Sequence, residues 1–396
     1  MVNVNLAAGA RILGFLFGPD NLIMPFKWSH DAGIPDKHIP ETWVTIVTGD
    51  GANLEASGSE PFISLWDDGG RRIGQHWVED NRKKLPVSND PNDNIYKIPH
   101  TQNRDPMATA QYVMISQLYS ETICISAVQV SNGKLSATWY GDLAMYCGAK
   151  WFLSQRKVGD KYPKCVYMSS GGIVDNYPRS ISFHVNDMLG TPSKIQMYRK
   201  DQQKYLCRST PRFGWWRRLE PDGTVPFFKP PLQYDVDRET GLEGCNKRPE
   251  LAVDRVEWDR SVYTRPKIKS IKTIKELRRS ITEPGRNHTE NILSRRRGSN
   301  RDPSHLIVTE AEGHEASLVC NSTTSDGWDV VSLREGKYCD MTVKRLYDLC
   351  TPTSVDNCFD IERKVLVSRS GIDARGTMSA GETLEKAYKT TEYWKL

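Results

Sequence analysis

Alternation of apolar and polar side chains at a period of two is most regular between Thr122 and Met168, where the runs Ile123–Val130 and Leu135–Tyr140 flank Asn132-Gly133. Asn-Gly between two such runs predicts a β-hairpin closed by a two-residue type I′ turn. Counting outward from that turn, Val130 faces Leu135, Val128 faces Ala137 and Ser126 faces Trp139. Cys124, Val128, Val130, Leu135, Ala137 and Trp139 then share the core face. Trp43–Thr48 and Phe62–Trp66 alternate in the same way, and predict a second hairpin across a Gly/Ser/Asn-rich loop, followed by the turn Asp67-Asp68-Gly69-Gly70. Gln111–Leu118, Val166–Met168 and Ile181–Val185 predict further short strands, and His184 within the last of them reads as a hydrogen-bonded structural residue.

Regular alternation fades after Trp216, as Pro, Glu, Asp and Arg take over. Ile268, Ile271, Ile274, Leu277 and Ile281 then follow at spacings of three, three, three and four within a basic stretch, which drift around a helix and give it a broad, imperfect apolar stripe. Leu306–Thr309 and Trp328–Leu333 predict two strands, and Glu315–Cys320 a short turn or helix. Cys320, Cys339, Cys350 and Cys358 fall in a stretch with few aliphatic residues, which predicts a small loop-rich unit whose bridges substitute for a large core. The expected fold is mainly β: an antiparallel β-sandwich or jelly-roll-like domain over residues 42–216, preceded by an irregular arm at 1–41. A Pro-rich and then basic linker spans 217–303, a Cys-rich module 304–370 and a flexible tail 371–396.

Composition supports short strands and many turns, because 29 Gly, 22 Pro, 16 Tyr and 11 Trp accompany a modest aliphatic content in 396 residues. No apolar run approaches the length of a transmembrane helix, so no membrane span is expected. Arg11 before the apolar Ile12–Phe17 run has the order of a signal peptide, but the run is short and lacks a small-residue cleavage pattern before Pro19. The net charge of +5 is unevenly spread. Residues Arg260–Arg301 hold thirteen Lys or Arg against three Glu, a local +10, which leaves −5 for the rest of the chain. A solvated linker is the plainer reading of that segment; a basic helix docking on an acidic surface is the sharper one. Nucleic acid is not expected as a partner, since Tyr263 is the sole stacking ring there and no recognition motif is present.

The nine cysteines lack the close pairing of zinc ligands, so disulfides are expected and no metal is. Cys147–Cys165 is the best single pairing, and the four later cysteines leave their connectivity open. The sequons at Asn287 and Asn321 agree with an oxidising secretory route, and Arg295-Arg296-Arg297 resembles a basic processing site. The Asp50 and Asp67-Asp68 clusters invite calcium, but they fall at opposite ends of the expected hairpin, about 15–20 Å apart. Asp90–Asn94 lacks the sixth-position Gly and terminal Glu of a calcium loop.

No phosphate loop, nucleophile elbow or metalloprotease helix is present, so no catalytic residue or cofactor is assigned. Aromatic rings beside polar groups at Tyr140, Asp142, Trp151, Trp215 and Trp216 suggest a sugar platform, because a ring offers stacking area while polar neighbours orient hydroxyls. Adjacent strand residues point to opposite faces, so one of Trp215 and Trp216 should escape the core.

The blocks ICISAVQV, TWYGDLAMYCGAKWF and CVYM, together with CDMTVKRLYDLC and NCFD, resemble predicted extracellular proteins of filamentous ascomycete fungi that carry no assigned activity. The resemblance spans about half the chain and implies secretion and disulfides. Relatives carry acidic residues after the cysteine matching Cys165, where this chain has Met168-Ser169-Ser170, which argues against an acidic ligand site there. TIVTGDGANLEASGSEPFISL is also loosely similar to lipid- or protein-binding β-sandwich domains of the PLAT type. The expected function is an extracellular non-catalytic binding protein with polysaccharide or cell-wall glycan as ligand. The alternatives are a secreted hydrolase using an unidentified carboxylate pair, and a protein docking through its basic segment.

Overall fold

The computed structural model describes residues 40–49, 58–78, 84–85, 94–102, 105, 108–132, 136–170, 177–229, 231–232, 234–236, 243–246, 302–353, 357–367, 383–386 and 388–394. Asn287, Arg295, Arg296, Arg297, the basic helix and the arm before Pro40 lie outside the described residues. The chain divides into two compact units, Met1–Pro266 and Lys267–Leu396, and is mainly β.

The first unit contains β1 (Glu41–Thr48), β2 (Phe62–Trp66), β3 (Arg72–His76), β4 (Ile95–Pro99), β5 (Tyr112–Ser116), β6 (Ile123–Ser131) and β7 (Ser136–Tyr140). Helix α1 (Gly141–Tyr146), β8 (Trp151–Phe152), β9 (Cys165–Met168) and β10 (Ser180–His184) follow. After them come a 3-10 turn at Val185–Met188, α2 (Pro192–Lys200), β11 (Phe213–Trp216), β12 (Tyr234–Val236) and β13 (Glu243–Asn246). One sheet has the order β4-β1-β6-β9-β8, with β7 also paired to β6, and the other has the order β11-β10-β5-β2-β3. All pairings in both are antiparallel. The sheets face each other across Trp139 of β7, whose ring stacks against Phe183 of β10 at 6.2 Å and Phe213 of β11 at 6.0 Å.

β6 organises its sheet because it is long enough to hold two partners on one edge: Ile123–Ile125 pair with β9 and Ala127–Ser131 with β7. The β6–β7 hairpin differs from the expected register by two residues. Val130 lies opposite Ala137 and Val128 opposite Trp139, so the connection is four residues and not the two of an Asn-Gly turn. A two-residue shift preserves the faces, and Cys124, Val128, Val130, Ala137 and Trp139 are all buried as expected. The second hairpin is not formed. β1 pairs with β4 and β6, while β2 pairs with β3 and β5, because the long loop between them carries the chain from one sheet to the other.

The expected Cys147–Cys165 bridge is replaced by Cys124–Cys165, joining neighbouring strands β6 and β9, and Cys147–Cys207, tying the end of α1 to the turn after α2. Sequence proximity misled here, since Cys165 lies across a strand pair from the β6 segment that contains Cys124. Gly49 lets the backbone lie against the first bridge: a Cβ there would sit 2.3 Å from Cys165 Cβ. The unit also continues beyond Trp216. Leu219, Val225, Phe228 and Leu232 pack with Trp66, Tyr112, Met114 and Trp216 on the outer face of the second sheet.

The second unit is an eight-stranded sheet rather than a loop-rich knot. Its elements are β14 (His305–Thr309), α3 (Ala316–Asn321), β15 (Asp329–Ser332), β16 (Lys337–Asp340), β17 (Arg345–Leu349), β18 (Cys358–Asp360), β19 (Val365–Val367), β20 (Thr383–Glu385) and β21 (Thr390–Trp394). Their order is β20-β19-β18-β17-β16-β15-β14-β21, with β14–β15, β14–β21 and β17–β18 parallel. α3 supplies the crossover that the parallel β14–β15 pair requires, and Cys320–Cys339 fastens it to β16. Cys350–Cys358 closes the second bridge. Tyr338 stacks on Phe359 at 3.9 Å within a core of Leu306, Val308, Val331 and Leu366. The closing residues are therefore not a flexible tail where they are described: β21 extends the sheet beside β14 and buries Trp394.

Candidate functional site

The expected sugar platform is largely interior. Tyr140, Asp142, Trp151 and Trp216 are buried, and Trp215 is half-buried with its Nε1 donating to the Cys147 carbonyl at 3.0 Å. The alternation argument for the Trp pair holds, but both faces of β11 are covered. Phe213 points to the opposite sheet, whereas Trp216 lies under the 219–232 segment and donates to Ser182 Oγ at 2.8 Å. Asp142 ties α1 to β9 by accepting from the Lys164 backbone N–H at 2.9 Å. Gly141 is forced by the same approach, since a Cβ would lie 2.1 Å from the Lys164 carbonyl oxygen. Burial pushes the Asp142 carboxyl up to about 6, although Lys164 and backbone donors oppose the rise.

An open aromatic site lies instead on the outer face of β2 and β3. Ile63 is opposite His76, which makes Trp77 the next cross-strand neighbour of Phe62. The two rings meet edge to face at 4.8 Å, Tyr119 adds a third ring 6.2 Å from Phe62, and Trp77 remains 51% exposed. Phe62 itself is buried, so it is a fixed base under a ring that presents half its surface to solvent. Polar residues adjoin each aromatic in sequence. His76, the neighbour of Trp77 in sequence, points to the opposite face, where its ring lies 4.7 Å from Tyr96 of β4 and its Nε2 3.4 Å from buried Glu60 Oε1. Two residues beyond Tyr119, Glu121 accepts from Ser59 Oγ at 2.7 Å and pairs with Lys84, which together lower its pKa. Sequence reasoning missed Trp77 because β3, with Gly74 at its centre and polar residues around Ile73, offers too little alternation to be recognised.

A second cluster closes the other end of that sheet. His184 Nδ1 is 2.9 Å from Asp187 Oδ2, and its Nε2 is 3.5 Å from Asp68 Oδ1. Arg212 Nε lies 3.1 Å and Lys194 Nζ 3.8 Å from Asp187, and Tyr198 donates to the Asp187 carbonyl. Burial disfavours the Asp187 carboxylate, yet Arg212, His184 and Lys194 hold it well below the ordinary carboxylate range. Burial likewise lowers His184, but hydrogen bonds and charge from Asp187 and Asp68 outweigh it and raise its pKa above 6.5. Apart from Asp68, these charged groups are wholly enclosed, so the arrangement pins the β2–β3 turn to the loop after β10 instead of meeting a substrate.

In the second unit Asp329 and Asp340 form a carboxylate pair around Lys386, whose Nζ contacts both. Asp329 also accepts from Tyr338 Oη at 2.9 Å and Tyr388 Oη at 2.5 Å. These bonds hold the 386–388 segment on the sheet. Among the described residues no cluster of three or more His, Cys, Asp or Glu is placed to hold a metal ion, and no helix is long and apolar enough to cross a membrane. The chain matches no family model, no curated protein and no solved structure.

Proposed function

We propose that this chain is an extracellular, non-catalytic binding protein whose first unit takes a polysaccharide or cell-wall glycan on Trp77. The observation that carries the reading is the 51% exposed Trp77 ring on its Phe62 base, with Tyr119 as a third ring. A pyranose offers an apolar C–H face to such a ring. Four disulfides support an oxidising compartment. The test is binding of the full chain to insoluble fungal and plant wall polysaccharides. Trp77→Ala should weaken retention at least tenfold, about 1.4 kcal/mol, in a variant that still unfolds cooperatively in urea, while half-buried Trp215→Phe should retain binding. No retention of the folded wild-type chain rejects the glycan reading; equal retention by Trp77→Ala rejects the site.

A further inference from the structure

We propose that Asn321 is an N-glycosylation site, an inference that rests on the extracellular reading above. The triplet Asn321-Ser322-Thr323 supplies the acceptor amide and the hydroxyl two residues on that such transfer requires. What the fold adds is availability. Asn321 is the last residue of α3 and is exposed, as is Thr323, and Ser322 beyond the helix has an extended backbone. The Asn321 side chain makes no hydrogen bond among the described residues, in contrast to Asn186, which is buried and donates to Gln111 Oε1 at 2.9 Å. A structural asparagine is normally tied in that second way.

The loop that follows is ordered without help from the acceptor. Ser322 Oγ accepts from the Thr324 N–H at 3.2 Å, and Ser325 Oγ donates to the Val319 carbonyl at 2.5 Å. A glycan on Asn321 therefore displaces no contact of the folded unit. In the transfer, Asn321 Nδ2 bonds to the anomeric carbon of a lipid-diphosphate-linked oligosaccharide. The anomeric C–O bond to diphosphate breaks, the lipid diphosphate departs with the electron pair, and the amide proton passes to a base of the transferase. Cys320, the preceding residue, is bridged to Cys339. Closing that bridge fixes α3 and the acceptor with it, which gives the proposal a second expectation: occupancy rises when closure is prevented.

The experiment uses full-length protein from its native source, treated with peptide N-glycosidase in isotope-labelled water and mapped without reduction. An isotope-labelled aspartate at position 321 is expected, as is loss of one glycan mass in Asn321→Gln with the Cys320–Cys339 bond retained. Cys339→Ser should increase occupancy at position 321. Unmodified Asn321 in protein with its disulfides formed overturns the site and leaves the extracellular reading standing, as does a glycan confined to Asn287. Unmodified Asn321 in protein whose cysteines are free thiols overturns both.

Discussion

At the scale of single residues, Asp142 shows how a side chain that looks like a ligand-binding group becomes a structural one. Beside Tyr140 and Gly141 it has the composition of a sugar site, and nothing in the sequence reveals that β9 arrives over it. Its carboxyl bridges α1 to Lys164 in the interior. Because its folded pKa is raised to about 6 from 3.8, folding takes up a proton between those values, and stability falls as pH rises through that window. The full step is on the order of 3 kcal/mol at 1.36 kcal/mol per pKa unit. Asp142→Asn keeps an oxygen to accept from Lys164 and removes the ionisation. It should flatten the pH dependence between pH 4 and about 6 and leave the chain at least as stable as wild type at pH 7, measured by urea midpoints. A variant less stable than wild type at pH 7 would show that the carboxylate itself is favourable there. Trp139 was legible for the opposite reason: its side follows from strand parity alone, and parity survived an error of two residues in register. Removing it opens a cavity between the sheets, so Trp139→Ala should cost about 3–5 kcal/mol by denaturant titration.

At the scale of elements, the second unit contains a repeated turn that its sequence carried in plain view. Ser332-Leu333-Arg334-Glu335-Gly336, Asp340-Met341-Thr342-Val343-Lys344 and Asp360-Ile361-Glu362-Arg363-Lys364 each join two antiparallel strands. The fifth residue of each has positive φ: 65° at Gly336, 55° at Lys344 and 57° at Lys364. In the two Asp turns the first side chain accepts from the backbone N–H two residues on, at 3.0 Å in both. Lysine there hid the pattern, because glycine or asparagine is the residue usually sought at such positions. Lys344 also donates to the Ser325 carbonyl at 2.8 Å, whereas no comparable bond is made by Lys364 among the described residues. Lys364→Gly should therefore relieve the left-handed strain and stabilise the unit by roughly 0.5–1 kcal/mol, while Lys344→Gly should gain less or lose. Differential melting of the two variants checks this. Disulfide pairing was less accessible than turns, since Cys124–Cys165 depends on which strand lies beside β6, a long-range fact that local alternation does not encode.

At the scale of the whole molecule, the mainly β class was legible from short alternating runs, but the sheet order was not. Parallel pairing of β14 with β15 and β21 joins segments far apart in sequence, and β21 looked like a tail because its own alternation is mixed and its partner lies about eighty residues upstream. Both units also carry buried ionisable groups, and their signs combine into one expectation. His184 is faced by Asp187 and Asp68, with Tyr112 at 4.6 Å, and by Arg212, Lys194 and Tyr198 through Asp187. Its raised pKa means that the stability it contributes is full below 6.5 and is lost as pH rises through the higher folded value. Asp142 in the same unit and Asp329 in the other, both raised chiefly by burial, lose stability in the same direction as they ionise. Asp187 acts oppositely, but its pKa is held so low that its contribution survives until the pH falls below the ordinary 3.8. The full chain should accordingly have a higher urea midpoint at pH 5 than at pH 8, and lose stability again below about pH 3.5. Asp68→Asn should lower the His184 pKa and move the alkaline limb to lower pH without altering the acid limb that Asp187 controls. Equal midpoints at pH 5 and 8 in wild type would mean that His184, Asp142 and Asp329 titrate in the folded chain as they do in water.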